Sequence, residues 1–118
     1  MTTESFALLP EPSLAEIRLE QVLHALADPI RLRIVRDLHD CHVEMSCTSF
    51  DLPVTKSTTT HHFRVLREAG LIHQHRRGTA RMSTLRHADL AELFPGLLDA
   101  VLAGARREDP ADGPTVNR

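Results

Sequence analysis

The sequence contains no tryptophan and no tyrosine, and only four of its 118 residues are phenylalanine. Leucine, isoleucine, valine and alanine must therefore build the core, which favours helices over an aromatic-rich sheet. No apolar run approaches the ~20 residues of a membrane span, and no signal-peptide pattern opens the chain, so we expect a cytoplasmic protein without a membrane partner. In that compartment the only two cysteines, Cys41 and Cys47, are expected to be reduced thiols.

The length of the chain suits one domain with one core, flanked by two polar termini. Pro10 and Pro12 predict a flexible arm over residues 1–12. The polar stretch over residues 106–118 contains proline and glycine but no core residues, which predicts a disordered tail. Residues 13–105 are then expected to form the folded domain.

Capping residues and apolar spacing predict the helices. Ser13, with Glu16 three residues later, matches a capping box, and apolar residues at helical spacing follow to about Ala27. Asp28 and Pro29 are suited to begin a second helix. Further helices are predicted over residues 44–50, 56–69, 89–93 and 95–105.

A β-hairpin with an arginine-bearing tip is predicted after the helix over residues 56–69. Residues 72–76 suggest one strand, and Ala80, Met82 and Thr84 alternate along a second. Arg77 and Gly78 between them are a turn signal. The predicted order is helix, helix, short helix, helix, hairpin and closing helices.

The net charge of −2 conceals a strong segregation of charge along the chain. Residues 54–87 contain seven lysine or arginine residues and one glutamate, a local charge of +6, so the remainder carries −8. Five of the eight histidines also fall in this basic stretch. Such segregation is typical of a surface that binds a polyanion, although a solvated basic face has the same composition.

The stretch KSTTTHHFRVLREAGL, residues 56–71, places hydroxyl-bearing residues in the first turns of a helix, where threonine is unfavourable. Helical spacing puts Thr59, Phe63 and Leu66 on one face, with His62 beside them. A helix that merely starts with several cap-type residues would explain the pattern. A helix whose N-terminal residues meet DNA bases would also explain it. The face opposite Phe63 carries Lys56 or Ser57, Thr60, His61 and Arg64.

Three segments, HALADPIRLRIVRDL, KSTTTHHFRVLREAGLI and RRGTARMSTLR, resemble the second helix, recognition helix and wing of the ArsR/SmtB family of winged helix-turn-helix repressors. The resemblance covers roughly residues 19–90 in the family's order. It implies a mainly α fold with a small β-hairpin, and a homodimer built by the first and last helices.

By the same resemblance, the chain is expected to be a transcriptional regulator that binds double-stranded DNA at a palindromic operator. The match places six side chains at DNA-reading positions: Lys56, Ser57, Thr58, Thr60, His61 and Arg64. The wing arginines Arg76, Arg77 and Arg81 would lie along the DNA backbone or in a minor groove, where they add salt-dependent affinity.

Many members of that family release DNA on binding a metal, and this sequence departs from both of their ligand patterns. The closely spaced cysteine pair is missing, and Ala100 and Ala103 stand where ligands would be wanted on the closing helix. Cys41, His42 and Cys47 could still bind zinc, nickel or arsenite, although two isolated cysteines are more often small core residues.

Two histidine-containing pairs complete the candidate metal ligands. These are His73 with His75 on one strand face, which could also simply flank the wing, and His87 with Asp89. The sequence therefore leaves open a nickel- or zinc-type effector but does not locate its binding site. No cofactor is expected to be needed for the fold.

Other function classes are less well supported by the sequence. The alternative is a metal- or thiol-sensing protein whose winged domain acts mainly through a protein partner. An enzyme is disfavoured, because Ser57 and His61 lie one helical turn apart but no acid is placed to orient the histidine. We therefore expect a DNA-binding regulator with no catalytic residues.

Overall fold

A computed structural model describes residues 9–41, 44–46, 50 and 52–108, and the fold is given for these residues. The elements are a short 3-10 helix (Leu14–Glu16), α1 (Leu19–Leu26), α2 (Pro29–Cys41), β1 (Met45–Ser46), α3 (Lys56–Ala69), β2 (Ile72–Arg77), β3 (Ala80–Leu85), α4 (His87–Leu93) and α5 (Leu97–Glu108). The predicted mainly helical class with a β-hairpin is confirmed. No helix in these ranges is long and apolar enough to cross a membrane.

The chain divides into two compact units, residues 1–86 and residues 87–118. In the first unit, α1 packs against α2 and α3, α2 packs against α3 and β3, and α3 packs against β2. Leucine, isoleucine and valine dominate this core, as the aromatic-poor composition predicts. Its fully buried members include Val22, Ile34, Val35, Phe63, Leu66, Leu71 and Ile72.

Capping residues fix both ends of α3, whose predicted bounds are confirmed. Thr55 is the N-cap, and its side chain accepts a hydrogen bond from the Thr58 backbone N–H at 3.2 Å. Gly70 ends the helix in the left-handed region, with φ of 92°. A Cβ atom at Gly70 would lie 2.5 Å from Cγ1 of Ile17, so both the backbone conformation and the packing require glycine here.

The first predicted helix is interrupted, which corrects the expectation of one helix from Ser13 to Ala27. The Ser13 backbone N–H donates to Oε1 of Glu16 at 2.8 Å, so the capping box forms, but only one 3-10 turn follows it. Ile17 is extended, with φ of −76° and ψ of 127°, and its buried side chain covers Gly70. Tertiary packing of Ile17 thus overrides the helical spacing, and α1 begins only at Leu19.

The short helix predicted over residues 44–50 is wrong at the described positions. Met45 and Ser46 form β1, which pairs with Ser83 and Met82 of β3, and Glu44 and Phe50 lie outside any helix. A two-residue strand has no periodicity of its own, and its partner strand is distant in sequence. The hydrogen-bonding edge of β3 therefore decides the conformation of this segment.

The predicted hairpin is confirmed, and β1 extends it to a sheet with the strand order β1–β3–β2. In the register of β2 and β3, Ile72 lies opposite Leu85 and Arg77 lies opposite Ala80. The turn is formed by Gly78 and Thr79, one residue later than predicted, and Gly78 has a φ of 63°.

The second unit contains α4 and α5, which pack against each other. Leu90, Leu98 and Leu102 are buried. Helix α5 continues to Glu108, past the predicted end at residue 105. The remaining residues of the predicted tail, 109–118, lie outside the described residues, as do residues 1–8 of the predicted arm.

A buried polar contact joins α3 to the junction between α1 and α2. Arg31 donates from Nε to the Ala25 carbonyl at 2.7 Å, and its Nη1 lies 3.1 Å from Nδ1 of His62. Because a guanidinium can only donate, Nδ1 must be an unprotonated acceptor. Burial lowers the pKa of His62, Asp28 at 4.0 Å opposes this shift, and Arg31 and His61 add to it.

Acidification is expected to destabilise the fold through His62. The unfolded chain binds this proton near pH 6.5, whereas the folded chain binds it only at lower pH. The free energy of unfolding should therefore decrease as the pH falls through 6.5, and this loss should end below the folded pKa. In His62→Gln, a non-titrating acceptor faces Arg31, so the pH profile should flatten.

Urea denaturation followed by circular dichroism, between about pH 7.5 and about pH 5, measures this effect across the range in which histidine titrates. The exposed neighbour His61 supplies the comparison, since His61→Gln removes one histidine but keeps the contact between Arg31 and His62. Its pH dependence should stay steeper than that of His62→Gln. Identical profiles for the parent and His62→Gln would contradict the assignment.

Candidate nucleic-acid interface

The side chains of α3 divide between a face in the core and a face in solvent. Thr59 is half-buried, and His62, Phe63 and Leu66 are buried. The six side chains predicted to meet DNA are all exposed, namely Lys56, Ser57, Thr58, Thr60, His61 and Arg64. Their exposure follows from the rotation of the helix that burial of Phe63 and Leu66 imposes.

Several hydroxyl groups on α3 use their protons inside the helix. Thr60 Oγ1 donates to the Lys56 carbonyl at 3.1 Å, and Thr59 Oγ1 donates to the Thr55 carbonyl at 2.9 Å. The exposed Thr60 side chain therefore presents oxygen lone pairs and a methyl group outward. Lone pairs can accept from the amino groups of adenine or cytosine, and the methyl group can contact that of thymine.

A groove of about 430 Å³ separates the N-terminal half of α3 from the hairpin. Its helix side is lined by Lys56, Thr60 and Phe63, and its sheet side by residues that include Ser46, Thr79 and Arg81. Lys56 and Arg81 thus place two cationic side chains on one groove, which suits an anion such as a DNA phosphate. Ser46 and Thr79 were not predicted, because only the fold brings them to this groove.

Two wing arginines are direct neighbours across the hairpin. Arg76 and Arg81 are cross-strand partners in the antiparallel register, with Arg76 exposed and Arg81 half-buried. Like charges directly opposite each other destabilise a sheet, and an anion between them would relieve the repulsion. The pair therefore has the chemistry expected of a phosphate-contacting wing.

Arg77, the third wing arginine, is held by a carboxylate from the start of the sheet. Its Nη1 contacts Oε2 of Glu44, while Oε1 of Glu44 lies 3.2 Å from Nε2 of His75. The Arg77 side chain is half-exposed, so its charge is partly compensated before any anion approaches. Glu44 was not predicted as a neighbour of the wing, since β1 itself was not predicted.

Two other arginines of the basic stretch do not contribute to this surface. Arg67 and Arg86 are only 9% and 6% exposed, and both donate hydrogen bonds within the protein. The cationic surface is therefore smaller than the local charge of +6 suggests.

The candidate metal ligands are distributed among different partners. Cys41 is an exposed free thiol, while His42 and Cys47 lie outside the described residues. His73 Nδ1 lies 2.8 Å from Glu11, and His75 lies beside Glu44 instead.

In the second unit, Nε2 of His87 lies 3.4 Å from Oδ1 of Asp99, and Asp89 is half-buried on the same helix as His87. Among the described residues of each unit taken alone, no three histidine, cysteine, aspartate or glutamate residues bring one ligand atom each to within 4.8 Å of one another.

The chain is similar to helix-turn-helix proteins in sequence. A family model described as a helix-turn-helix domain matches residues 26–75. An uncharacterized HTH-type transcriptional regulator, YceK of Bacillus subtilis (strain 168), is 32% identical over 83 residues, which cover 69% of this chain and 83% of the relative.

Crystal structures of two regulators share the fold. One, an ArsR family transcriptional regulator, is 20% identical with a TM-score of 0.57, over 75% of this chain and 92% of the other. The second, a possible transcriptional regulator for arsenical resistance, is 30% identical with a TM-score of 0.54, over 74% of this chain and 97% of the other. The α3 helix, the adjoining hairpin and these matches together show that the chain belongs to the ArsR-type winged helix-turn-helix family of DNA-binding transcriptional regulators.

Proposed function

We propose that the chain acts as a homodimer that binds a palindromic operator, with α3 in the major groove and the wing on the DNA backbone or in a minor groove. The observation that carries the proposal is the exposed face of α3, which is cationic and rich in hydroxyl groups, beside a hairpin with two facing arginines. Membership of the family supports DNA binding, and the geometry of α3 and the hairpin supports contacts by α3 in the major groove and by the wing on the backbone or in a minor groove.

Base recognition is assigned to the exposed N-terminal half of α3. Thr60 and Arg64 lie about one turn apart on the same face, and Thr60 offers an acceptor and a methyl group. An arginine at such a position can donate two hydrogen bonds to guanine. Lys56, Ser57 and His61 flank them, and Thr58 lies closer to the cap, where its hydroxyl accepts from Thr55 at 2.9 Å.

Phosphate binding is assigned to the wing and to the groove beside it. Arg76 and Arg81 form the cross-strand pair, and Arg81 shares the groove with Lys56. Arg77 is included with a smaller contribution, because a phosphate has to compete with Glu44 for its guanidinium. These contacts add affinity for any duplex and contribute little to sequence preference.

Dimerisation is assigned to the first and last helices. Leu19 and Leu23 are each 44% exposed on α1, one helical turn apart, which is the spacing of an apolar contact stripe. Burial of this stripe against a second copy would pair two α3 helices for half-sites about 34–36 Å apart. The candidate metal ligands have separate partners within each unit, so the proposed DNA binding does not require a metal.

Alanine substitutions should separate base recognition from phosphate binding. Arg64→Ala and Thr60→Ala should weaken operator binding, with a cost of roughly 1–3 kcal/mol for the arginine, and should leave binding to random duplex nearly unchanged. Arg76→Ala should weaken binding to both duplexes and lower the slope of log affinity against log salt by about 1, with a smaller change for Arg77→Ala. Titrations at several salt concentrations measure both quantities.

The operator for these titrations is the duplex that the parent protein enriches from a random pool. Arg18→Ala is the matched control, since Arg18 is exposed but lies outside α3 and the wing. Unchanged operator affinity in Arg64→Ala would refute the base contacts. If the parent enriches no duplex at all, the alternative of a sensor that acts through a protein partner is favoured instead.

Charge placed on the apolar stripe of α1 should dissociate the dimer. Each leucine buried at an interface contributes ~1.5–3 kcal/mol, and a two-fold axis counts it twice. Leu23→Lys should therefore raise the dimer dissociation constant at least about 100-fold. Sedimentation equilibrium measures the dissociation constant.

The fold of each subunit should persist, because Leu23 is already half-exposed in the chain. The melting temperature should fall only by the part that dimerisation contributed, and it should lose its dependence on protein concentration. Gln21→Lys introduces the same charge at an exposed position of α1 as a control. A dimer that survives in Leu23→Lys would exclude this face of α1 as the interface.

A further inference from the structure

The residues that precede the 3-10 helix are tied to α3 and to the sheet. We call Leu9–Pro12 the arm. The Leu9 backbone N–H donates to the Gln74 carbonyl of β2 at 2.9 Å, and the Pro10 carbonyl accepts from Nε of Arg67 on α3 at 2.9 Å. The Pro12 carbonyl accepts from Nη1 of Arg86, directly after β3, at 2.8 Å.

A charged contact strengthens this attachment. The Glu11 carboxylate lies 2.8 Å from Nδ1 of His73 on β2 and 3.7 Å from Nη1 of Arg86. The Arg86 side chain is only 4% exposed, so its charge has lost most of its hydration and depends on partners inside the protein. The arm supplies Arg86 with a carbonyl oxygen and a nearby carboxylate, and it supplies Arg67 with a carbonyl oxygen.

A chain of buried hydrogen bonds continues from the arm into the wing. Nη1 of Arg67 donates to Oε1 of Gln74 at 2.6 Å, and Nε2 of Gln74 donates to Oγ of Ser83 at 3.1 Å. Gln74 and Ser83 are 1% and 0% exposed. Because a guanidinium is planar and its donors point in fixed directions, this chain constrains α3, β2 and β3 relative to one another.

We propose that the arm, together with Arg67, Gln74 and Ser83, positions the wing relative to α3 and thereby decides how well the wing arginines meet DNA phosphates. Gln74 precedes Arg76 by two residues on β2, a distance of about 7 Å along a strand. A change of strand orientation at Gln74 therefore moves the Arg76–Arg81 pair directly. None of these four parts needs to touch DNA, so they are positioning groups, and the inference rests on the proposed function.

The test uses the full chain with the Leu9 and Glu11 contacts of the arm removed by substitution. Leu9→Pro removes the backbone N–H that donates to the Gln74 carbonyl, and Glu11→Ala removes the carboxylate beside His73 and Arg86. The variant with both changes should lose about tenfold in operator affinity, a typical coupling between distinct sites. Its slope of log affinity against log salt should fall by about 0.9 for each phosphate contact that is lost.

A double-mutant cycle shows whether the arm acts through the wing. With Arg76→Ala and Arg81→Ala already present, the arm substitutions should cause no further loss of operator affinity. Ser83→Ala breaks the far end of the hydrogen-bond chain and should reproduce the arm variant in direction, with a smaller magnitude. If the arm variant does not fold, Ser83→Ala alone tests whether the hydrogen-bond chain positions the wing.

Two controls separate positioning from stability and from charge. Ile34→Val removes one buried methylene from α2 and should lower the melting temperature without changing the salt slope. Glu92→Ala removes an exposed carboxylate on α4 and should change neither quantity.

Three results would overturn the proposal. The first is an arm variant that binds the operator with the parent's affinity and salt slope. The second is an equal loss of operator affinity from the arm substitutions with and without Arg76→Ala and Arg81→Ala. The third is a change of salt slope in Ile34→Val as large as that in the arm variant. A parent protein that enriches no duplex would instead refute the proposed function, so the two failures are distinguishable.

Discussion

Burial of Phe63 and Leu66 fixes the rotation of α3 about its axis, and this rotation decides which of its side chains reach solvent. Both side chains project into a core shared with α1 and α2, while Gly70 ends the helix where Ile17 covers it. With the inner face held in this way, Thr60 and Arg64 have no freedom to turn inward. The exposed polar surface of α3 is therefore a consequence of the core, and a repacked core would misdirect it without altering any exposed residue.

The threonine-rich start of α3 is stabilised by its own hydrogen bonds rather than by helix propensity. Thr55 caps the helix, and the hydroxyls of Thr59 and Thr60 donate to carbonyls one turn earlier. Bonds from a hydroxyl to the carbonyl four residues earlier slightly weaken a helix in general. Here the backbone bond continues beside them, since the Thr59 backbone N–H also donates to the Thr55 carbonyl at 2.9 Å. The same arrangement directs lone pairs outward, so the residues that weaken the helix intrinsically are those that equip it for polar recognition.

The sequence predicts α3 and the hairpin well because their signals are local. Thr55, Gly70 and the spacing of Phe63 and Leu66 define one helix without reference to the rest of the chain. The break at Ile17 and the strand at Met45–Ser46 depend instead on partners distant in sequence, Gly70 and β3, and local patterns carry no information about them.

The candidate site is likewise only partly predictable from the sequence. Every exposed position on α3 follows from helical periodicity, and the wing arginines follow from the turn signal. Counting charges includes Arg67 and Arg86 as surface cations, although the fold buries both. Glu44 illustrates the reverse case, since its contact with Arg77 requires a strand that has no sequence signal. Burial and pairing of charges are properties of the tertiary structure.

The hydrogen bond from Leu9 to Gln74 has a consequence for self-association. β2 is an outer strand of the three-stranded sheet, so its outward carbonyl and amide groups form an edge. Open edges template the addition of strands from other molecules, which leads to aggregation. By occupying part of this edge, the residues ahead of the first helix help to prevent the addition of further strands. A chain shortened before these residues would therefore aggregate more readily, and its wing would also be less well positioned relative to α3.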